Sequence, residues 1–475
     1  YATVLFIMCR IGLLLYKKKT ESRDRILLCT IAASWLGYSI SSLSDYQLEN
    51  IGISITLLST IALLVNLADS TKLNTPHLSL SKRARRIISM MLILFLCVNF
   101  QLWARVDVGL YLSHTAIQDA RALNLVGADA KWTKASKLVP WDPTYSALAA
   151  DTILELMDGL EPSDDEQELR LLAIDRLRQA VQAAPADPWF NQNLAALLID
   201  SGDAAAAEPY AKEAVRLFPR DIHNYAYYTL GMSLFQQGKE SEAVEAFMLE
   251  ALASPIFLTA SNWNHLPLLS IRDEVVRKTL GAYQQVLSKT NKLSGQYAWL
   301  YEQWAMLSWW YGYPVSEQER KETRPLVQAM LLSNEDTQES LQLIDKHLDS
   351  GPNRGNDIAL IQARLSPERY LSELTEKLDG TPAEKLNLEK SLNNEGTMQS
   401  WLGAVTSSAK TQTRYALVFA YRNLGANVIR KIVYPEDIQT SVLLSAGSLF
   451  QGAHREYPQL DRYMAEVRSN RLSIN

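Results

Sequence analysis

Four times between residues 128 and 255 the chain sets down a small residue, a second residue four positions on, another small one three further, and a proline five beyond that. The sets are Ala128, Trp132, Ala135 and Pro140; then Ala173, Leu177, Ala180 and Pro185; then Ala207, Ala211, Ala214 and Pro219. The fourth is Ala243, Phe247, Glu250 and Pro255, where Glu250 is off the pattern and Ala251 stands beside it. The last three sets recur 34 and 36 residues apart. A recurrence at this period describes stacked helix pairs, none of which buries its apolar face alone. Small residues let two helices approach, larger ones fill the groove, and proline ends the second helix before the next pair begins. The first helix of the fourth pair fits as well, through Tyr227, Leu230, Gly231, Leu234 and the turn residue Gly238.

This spacing resembles the tetratricopeptide repeat, and it predicts an all-α solenoid of such pairs over residues 106–255. Beyond Pro255 the register fades while helical patterns continue to about residue 451, so residues 256–475 read as a degenerate helical repeat or capping region. Breaks fall at 314–324 and 349–356. Helix starts are marked by Ser366-Pro367-Glu368 and by Thr381-Pro382, with proline in the first turn. Residues 158–168, rich in Asp and Glu, read as an acidic loop between the helices of the second pair. Few segments read as strands.

Residues 1–105 obey a different pattern. Apolar runs occupy 1–16, 26–43, 51–68 and 87–103. The last three approach the roughly 20 residues that a membrane helix needs. The first run is shorter and contains Arg10, and the chain opens on Tyr1. It therefore reads as the remainder of a longer helix, and the chain as a C-terminal piece of a larger protein. Lys17, Lys18, Lys19, Arg23 and Arg25 separate the first two runs. Lys72, Lys82, Arg83, Arg85 and Arg86 separate the last two. The connection at 44–50 has neither Lys nor Arg but holds Asp45 and Glu49. Basic connections stay on the cytoplasmic side. Four crossings then put the repeat domain on the extracytoplasmic face of a multi-pass cytoplasmic-membrane protein.

Charge and composition narrow the chemistry. Residues 1–104 carry eleven Lys/Arg against five Asp/Glu, a balance of +6, so the remainder carries −11 within the overall −5. An acidic array is a poor match for nucleic acid, whose phosphates demand a basic face. The three cysteines, Cys9, Cys29 and Cys97, all sit in apolar runs, which removes disulfides and zinc ribbons from the array. The six histidines include no pair at metal-ligand spacing, and no phosphate-cradling Gly loop or nucleophile elbow is present. Neither cofactor nor metal is expected. His114 reads as a solvated helix residue that could also approach a membrane-bound substrate. Arg10 either holds the phosphates of a lipid-linked substrate or snorkels toward the headgroups beside Lys17. The aromatic stretch at 297–313 reads as core, with a sugar-stacking groove as the other possibility. Asp164 and Asp165 read as solvated.

The order of these parts resembles the O-antigen ligase and polymerase family in its form with C-terminal tetratricopeptide repeats. The resemblance rests on WLGYSISSLSDYQLENIGI at 35–53, where an outer polar turn, Ser42-x-x-Asp45-x-x-Leu48, joins two membrane helices. It is supported by the fourth apolar run leading into the repeats. The family implies a polytopic glycosyltransferase that moves glycans from a polyprenyl diphosphate carrier. Its catalytic Arg and His belong to a large external loop with no counterpart here, so no catalytic residue is carried over. Asp45, Tyr46 and Gln47 match the outer turn and, with Arg10, are the candidate substrate-binding residues. The expected partners are membrane lipid, a polyprenyl-diphosphate-linked glycan, and a protein or growing glycan on the array. The competing reading is a non-enzymatic membrane scaffold for envelope assembly.

Overall fold

The computed structural model describes residues 82–157, 164–220, 225–350, 356–377, 396–407, 452–453 and 456–474, with residues 29–31, 33, 386, 389–390 and 392 besides. Every regular element among them is helical, and none is a strand. The apolar runs at 1–16 and 51–68 lie outside the described residues. So do Arg10, Asp45, Tyr46, Gln47, the helix start at Thr381-Pro382, and all of 26–43 except the helical Cys29, Thr30, Ile31 and Ala33. The chain divides into two compact units, Tyr1–Asn99 and Phe100–Asn475.

Helix α1, Lys82–Arg121, is unbroken for 40 residues. Among the described residues no helix is long and apolar enough to cross a membrane. In the first half of α1, Ile87, Met90, Met91, Ile93, Leu94 and Val98 are nonetheless all exposed. The second half packs through Val106, Leu112, Ala116 and Ile117 onto Trp132, Val139 and Tyr145. Gly109 sits so close to that surface that a Cβ there would lie 2.9 Å from Val139 Cγ2. The Trp132 indole N–H donates to Ser113 Oγ at 3.1 Å.

Seven helices follow in the second unit: α2 (Leu125–Leu138), α3 (Pro143–Met157), α4 (Asp164–Ala183), α5 (Pro188–Asp200), α6 (Ala204–Leu217), α7 (Ala226–Gln236) and α8 (Glu240–Ala253). Each packs on the next, and α5 also touches α7, so the first helices of neighbouring pairs meet. The small residues lie at these contacts. Ala128, Ala135, Ala173, Ala180, Ala207, Ala211, Ala214 and Ala243 are all buried, together with Trp132, Leu177 and Phe247. The expected acidic loop at 158–168 is corrected in its second half, because α4 already begins at Asp164. The carboxylates there enter the first turns of a helix, where the partial positive charge of the N-terminus favours them.

The sequence punctuates these helices by a rule visible only with the boundaries in hand. Pro140, Pro185, Pro219 and Pro255 each stand two residues past the last residue of α2, α4, α6 and α8. Two residues after Pro140 and Pro185 come Asp142 and Asp187, each followed by a proline that opens the next helix. Asp187 Oδ1 accepts the N–H groups of Trp189 and Phe190, and Asp142 Oδ1 accepts that of Thr144. One proline thus stops a helix, an aspartate caps the next, and a second proline occupies a first-turn position that needs no donor. The turns inside the pairs share a design too. Leu123, Gly202 and Gly238 all take positive φ, of 60°, 83° and 75°. In each case the following residue donates its N–H to the carbonyl five residues back, namely Asp119, Leu198 and Leu234.

Beyond α8 three short 3-10 turns, Pro255–Thr259, Ser261–Asn264 and Leu268–Ser270, lead into α9 (Arg272–Ser288) and α10 (Gly295–Trp310). The chain continues through α11 (Glu317–Lys321), α12 (Pro325–Leu332), α13 (Thr337–Ser350), α14 (Asn356–Leu365), α15 (Pro367–Lys377) and α16 (Met398–Ser407). Helix α15 opens on Pro367, as the sequence predicts. The last helix, α17 (Pro458–Arg471), lies beyond the stretch where helical patterning is legible. It returns to α8 and α9, burying Leu460, Met464 and Val467. The Ala453 N–H donates to Ala253 O at 2.8 Å, and the Tyr457 ring stacks on Trp299 with centroids 4.5 Å apart.

Candidate interaction surface

Gly231 is the tightest contact in the fourth pair: a Cβ there would fall 2.5 Å from Phe247 Cε1. Glu250, off the repeat pattern, is completely buried. Its Oε2 accepts the N–H groups of Tyr227 and Tyr228 at 3.1 and 3.2 Å. Tyr225, which precedes α7, takes a left-handed conformation and caps no helix N–H through its side chain. Glu250 therefore does from α8 what Asp187 does locally for α5. The repeat spacing flagged Glu250 as an exception, and its role follows only from the packing of α7 on α8.

Ion pairs join successive elements. Lys131 on α2 meets Asp119 on α1 at 2.8 Å, Arg170 on α4 pairs with Asp200 on α5, and Lys278 on α9 meets Glu245 on α8 at 2.8 Å. Glu208 on α6 binds Lys212 at 2.8 Å, Lys239 at 2.6 Å and the Gln237 amide at 3.0 Å. Burial pushes the Glu208 carboxyl up, but hydrogen bonds from Lys212, Lys239 and Gln237 together outweigh it and hold the group at about 2. Helix α17 joins the same web. Arg220 pairs with Asp461 at 3.2 Å, Arg468 donates to the Tyr227 hydroxyl at 3.2 Å, and Arg471 reaches Glu245 at 3.5 Å.

Most charged groups named here serve architecture. Among the described residues no group of three His, Cys, Asp or Glu is placed to hold a metal ion. His114 is exposed on α1 beside the Gln118 amide at 3.1 Å. Burial, with Arg324 nearby, lowers the pKa of His347. His77, His223 and His454 lie outside the described residues. The aromatic stretch at 297–313 is core: Trp299, Tyr301, Trp304 and Trp309 are buried, and the Tyr311 hydroxyl donates to Leu258 O. Sugar stacking is thereby set aside for the four buried rings, while Tyr297, Trp310 and Tyr311 pack partly buried against the core and Tyr313 is exposed.

What stands out on the surface is apolar and lies in the first pair. Leu123 and Val126 are 84% and 70% exposed at its tip, and Trp141 is exposed after α2. On α1, Phe100, Trp103, Val108 and Tyr111 also face outward. Scattered exposed apolar residues need no explanation, but a run of them along one helix marks an interaction surface. The sequence hinted at it only as the tail of an apolar run.

No protein-family profile matches the chain, and no curated protein matches it.

Proposed function

We propose that this chain is the anchoring and presenting part of an envelope polysaccharide polymerase or O-antigen ligase. Its apolar runs cross the cytoplasmic membrane, the basic connections stay inside, and tetratricopeptide-type pairs project on the extracytoplasmic side. What carries the reading is the sequence pattern at 35–53, in which Ser42-x-x-Asp45-x-x-Leu48 stands between two apolar runs, followed in one chain by α1 and the paired helices. The fourth apolar run in the sequence supports it. From Ile87 to Ala104 the sequence holds no Asp, Glu, Lys or Arg, and the described apolar side chains there are exposed.

In this reading Arg10 meets the phosphates of a polyprenyl-diphosphate-linked glycan, and Asp45, Tyr46 and Gln47 offer hydrogen bonds to its sugars. The array holds a protein partner or the growing glycan. No catalytic role is assigned to any residue of the chain.

The test is topology together with cargo. Protease added outside spheroplasts that carry the full chain should digest the array, and the detergent-purified chain should retain a polyprenyl-linked glycan detectable by mass spectrometry. Full protection of the array, or a chain freely soluble without detergent, ends the reading. A membrane-embedded chain that carries no such lipid would be a scaffold without a glycan role.

A further inference from the structure

Phe100, Trp103, Val108 and Tyr111 are 78, 41, 48 and 68% exposed. With 3.6 residues per turn they share one side of α1. The other side, with Val106, Gly109, Leu112 and Ala116, is already occupied by α2 and α3. Leaving such a face in water forgoes the stabilisation that covering apolar surface brings.

We propose that this outer face of α1, from Phe100 to Tyr111, lies in the headgroup layer of the bilayer, so that the first helix pair rests on the membrane surface. The inference rests on the membrane reading above and adds to it a contact and a lipid chemistry. Composition favours lipid over a protein partner, since Trp and Tyr carry an apolar ring with a polar tip and collect at the water–membrane boundary. Val108 lies about 6 Å along the helix beyond Ala104, inside a headgroup layer that adds about 5–8 Å to each side of the hydrocarbon. Tyr111 lies about 10 Å beyond Ala104, just past that layer, and helix side chains lean toward the N-terminus, which carries its ring back toward the layer. The face also grades as a boundary should. Past Tyr111 the same side carries His114 and Gln118, which bond to each other and are exposed. Asp107 falls on this side too and is exposed. Its carboxylate suits the ammonium of a zwitterionic headgroup, not an anionic lipid.

The experiment uses the full chain with Cys9, Cys29 and Cys97 changed to Ser, reconstituted in phosphatidylethanolamine and phosphatidylcholine vesicles. A nitroxide is attached at Ile93→Cys, Tyr111→Cys or Gln118→Cys, with unchanged circular dichroism required of each variant. Collision rates with oxygen, which concentrates in lipid, and with a water-soluble nickel chelate are then compared. Ile93 and Tyr111 should favour oxygen, with nickel collisions several-fold fewer than at Gln118. Tyr111 behaving like Gln118, or shielded from both reagents, overturns the inference while an oxygen-favouring Ile93 leaves the membrane reading standing. Nickel access at Ile93 would remove the membrane reading itself.

Discussion

The Glu250 carboxylate, wholly buried in α8, accepts the backbone N–H of Tyr227 at 3.1 Å and so caps the start of the neighbouring helix α7. At the equivalent place the other pairs carry Ala135, Ala180 and Ala214. By sequence pattern alone, Glu250→Ala would regularise the repeat. The structure says the reverse. Removing the acceptor leaves two helix N–H groups without this partner, at about 2–4 kcal/mol. The substitution should lower the denaturant midpoint of the array, and Glu250→Gln, which keeps one acceptor oxygen, should lower it less. A raised or unchanged midpoint for the alanine variant would show that the cap carries no stability.

Gly231 is held by shape. A methyl group there meets the Phe247 ring at 2.5 Å, so Gly231→Ala forces the ring or the α7–α8 spacing to give way. Overpacking of this kind costs about 1–3 kcal/mol. The loss should shrink when Phe247→Leu is added, because the smaller side chain vacates part of the clash. Equal and additive losses in a double-mutant cycle would mean that the two positions do not compete for space.

Leu123 occupies the left-handed turn position that Gly202 and Gly238 fill elsewhere, and its side chain is almost fully exposed. An L-residue pays roughly 1–2 kcal/mol for that conformation, partly offset because glycine loses more chain entropy on folding. Leu123→Gly should therefore raise thermal stability by up to about 1 kcal/mol. Gly202→Ala should lower it by a similar amount. A destabilised Leu123→Gly chain would show that Leu123 is held there by a favourable contact.

Glu208 ties α6 to the turn of the following pair through Lys239 and Gln237. Its carboxyl is held at about 2, below the ordinary value of 4.5, so the folded state binds its proton less readily than the unfolded chain does. The sign follows. This contribution is fully present above about pH 4.5 and is lost as pH falls through about 2. Midpoints measured from pH 6 down to pH 2 should fall less steeply for Glu208→Gln than for the unaltered chain. Parallel curves would show that the lysines do not stabilise the charged form.

Helix content was legible because its signals are local. Spacings of small and large residues and prolines after helix ends act within a few residues of where they stand. Those signals, unlike the aspartates that cap α3 and α5 and show themselves only once the boundaries are known, mark α2, α4, α6, α7 and α8 and the opening of α15 at Pro367. They misjudged 164–168, where acidic residues that look like a solvated loop suit the first turns of α4. They also missed α17. Its pattern is weak because its apolar residues, Leu460, Met464 and Val467, are matched to the surfaces of α8 and α9 rather than to any neighbour in sequence. The substrate-binding candidates Arg10, Asp45, Tyr46 and Gln47 lie outside the described residues, so their role rests on the proposal and its test.

By itself the amino-acid order determined that this chain is helical, where its helices stop, and which faces turn inward, since periodicity and backbone chemistry are short-range properties. Only the tertiary structure decided that a glutamate breaking the repeat is a cap, that eight aromatics in seventeen residues are largely core, and that the final helix folds back on the array. Each of these depends on which side chain meets which across tens or hundreds of residues, and such meetings are set by packing, which no local spacing records.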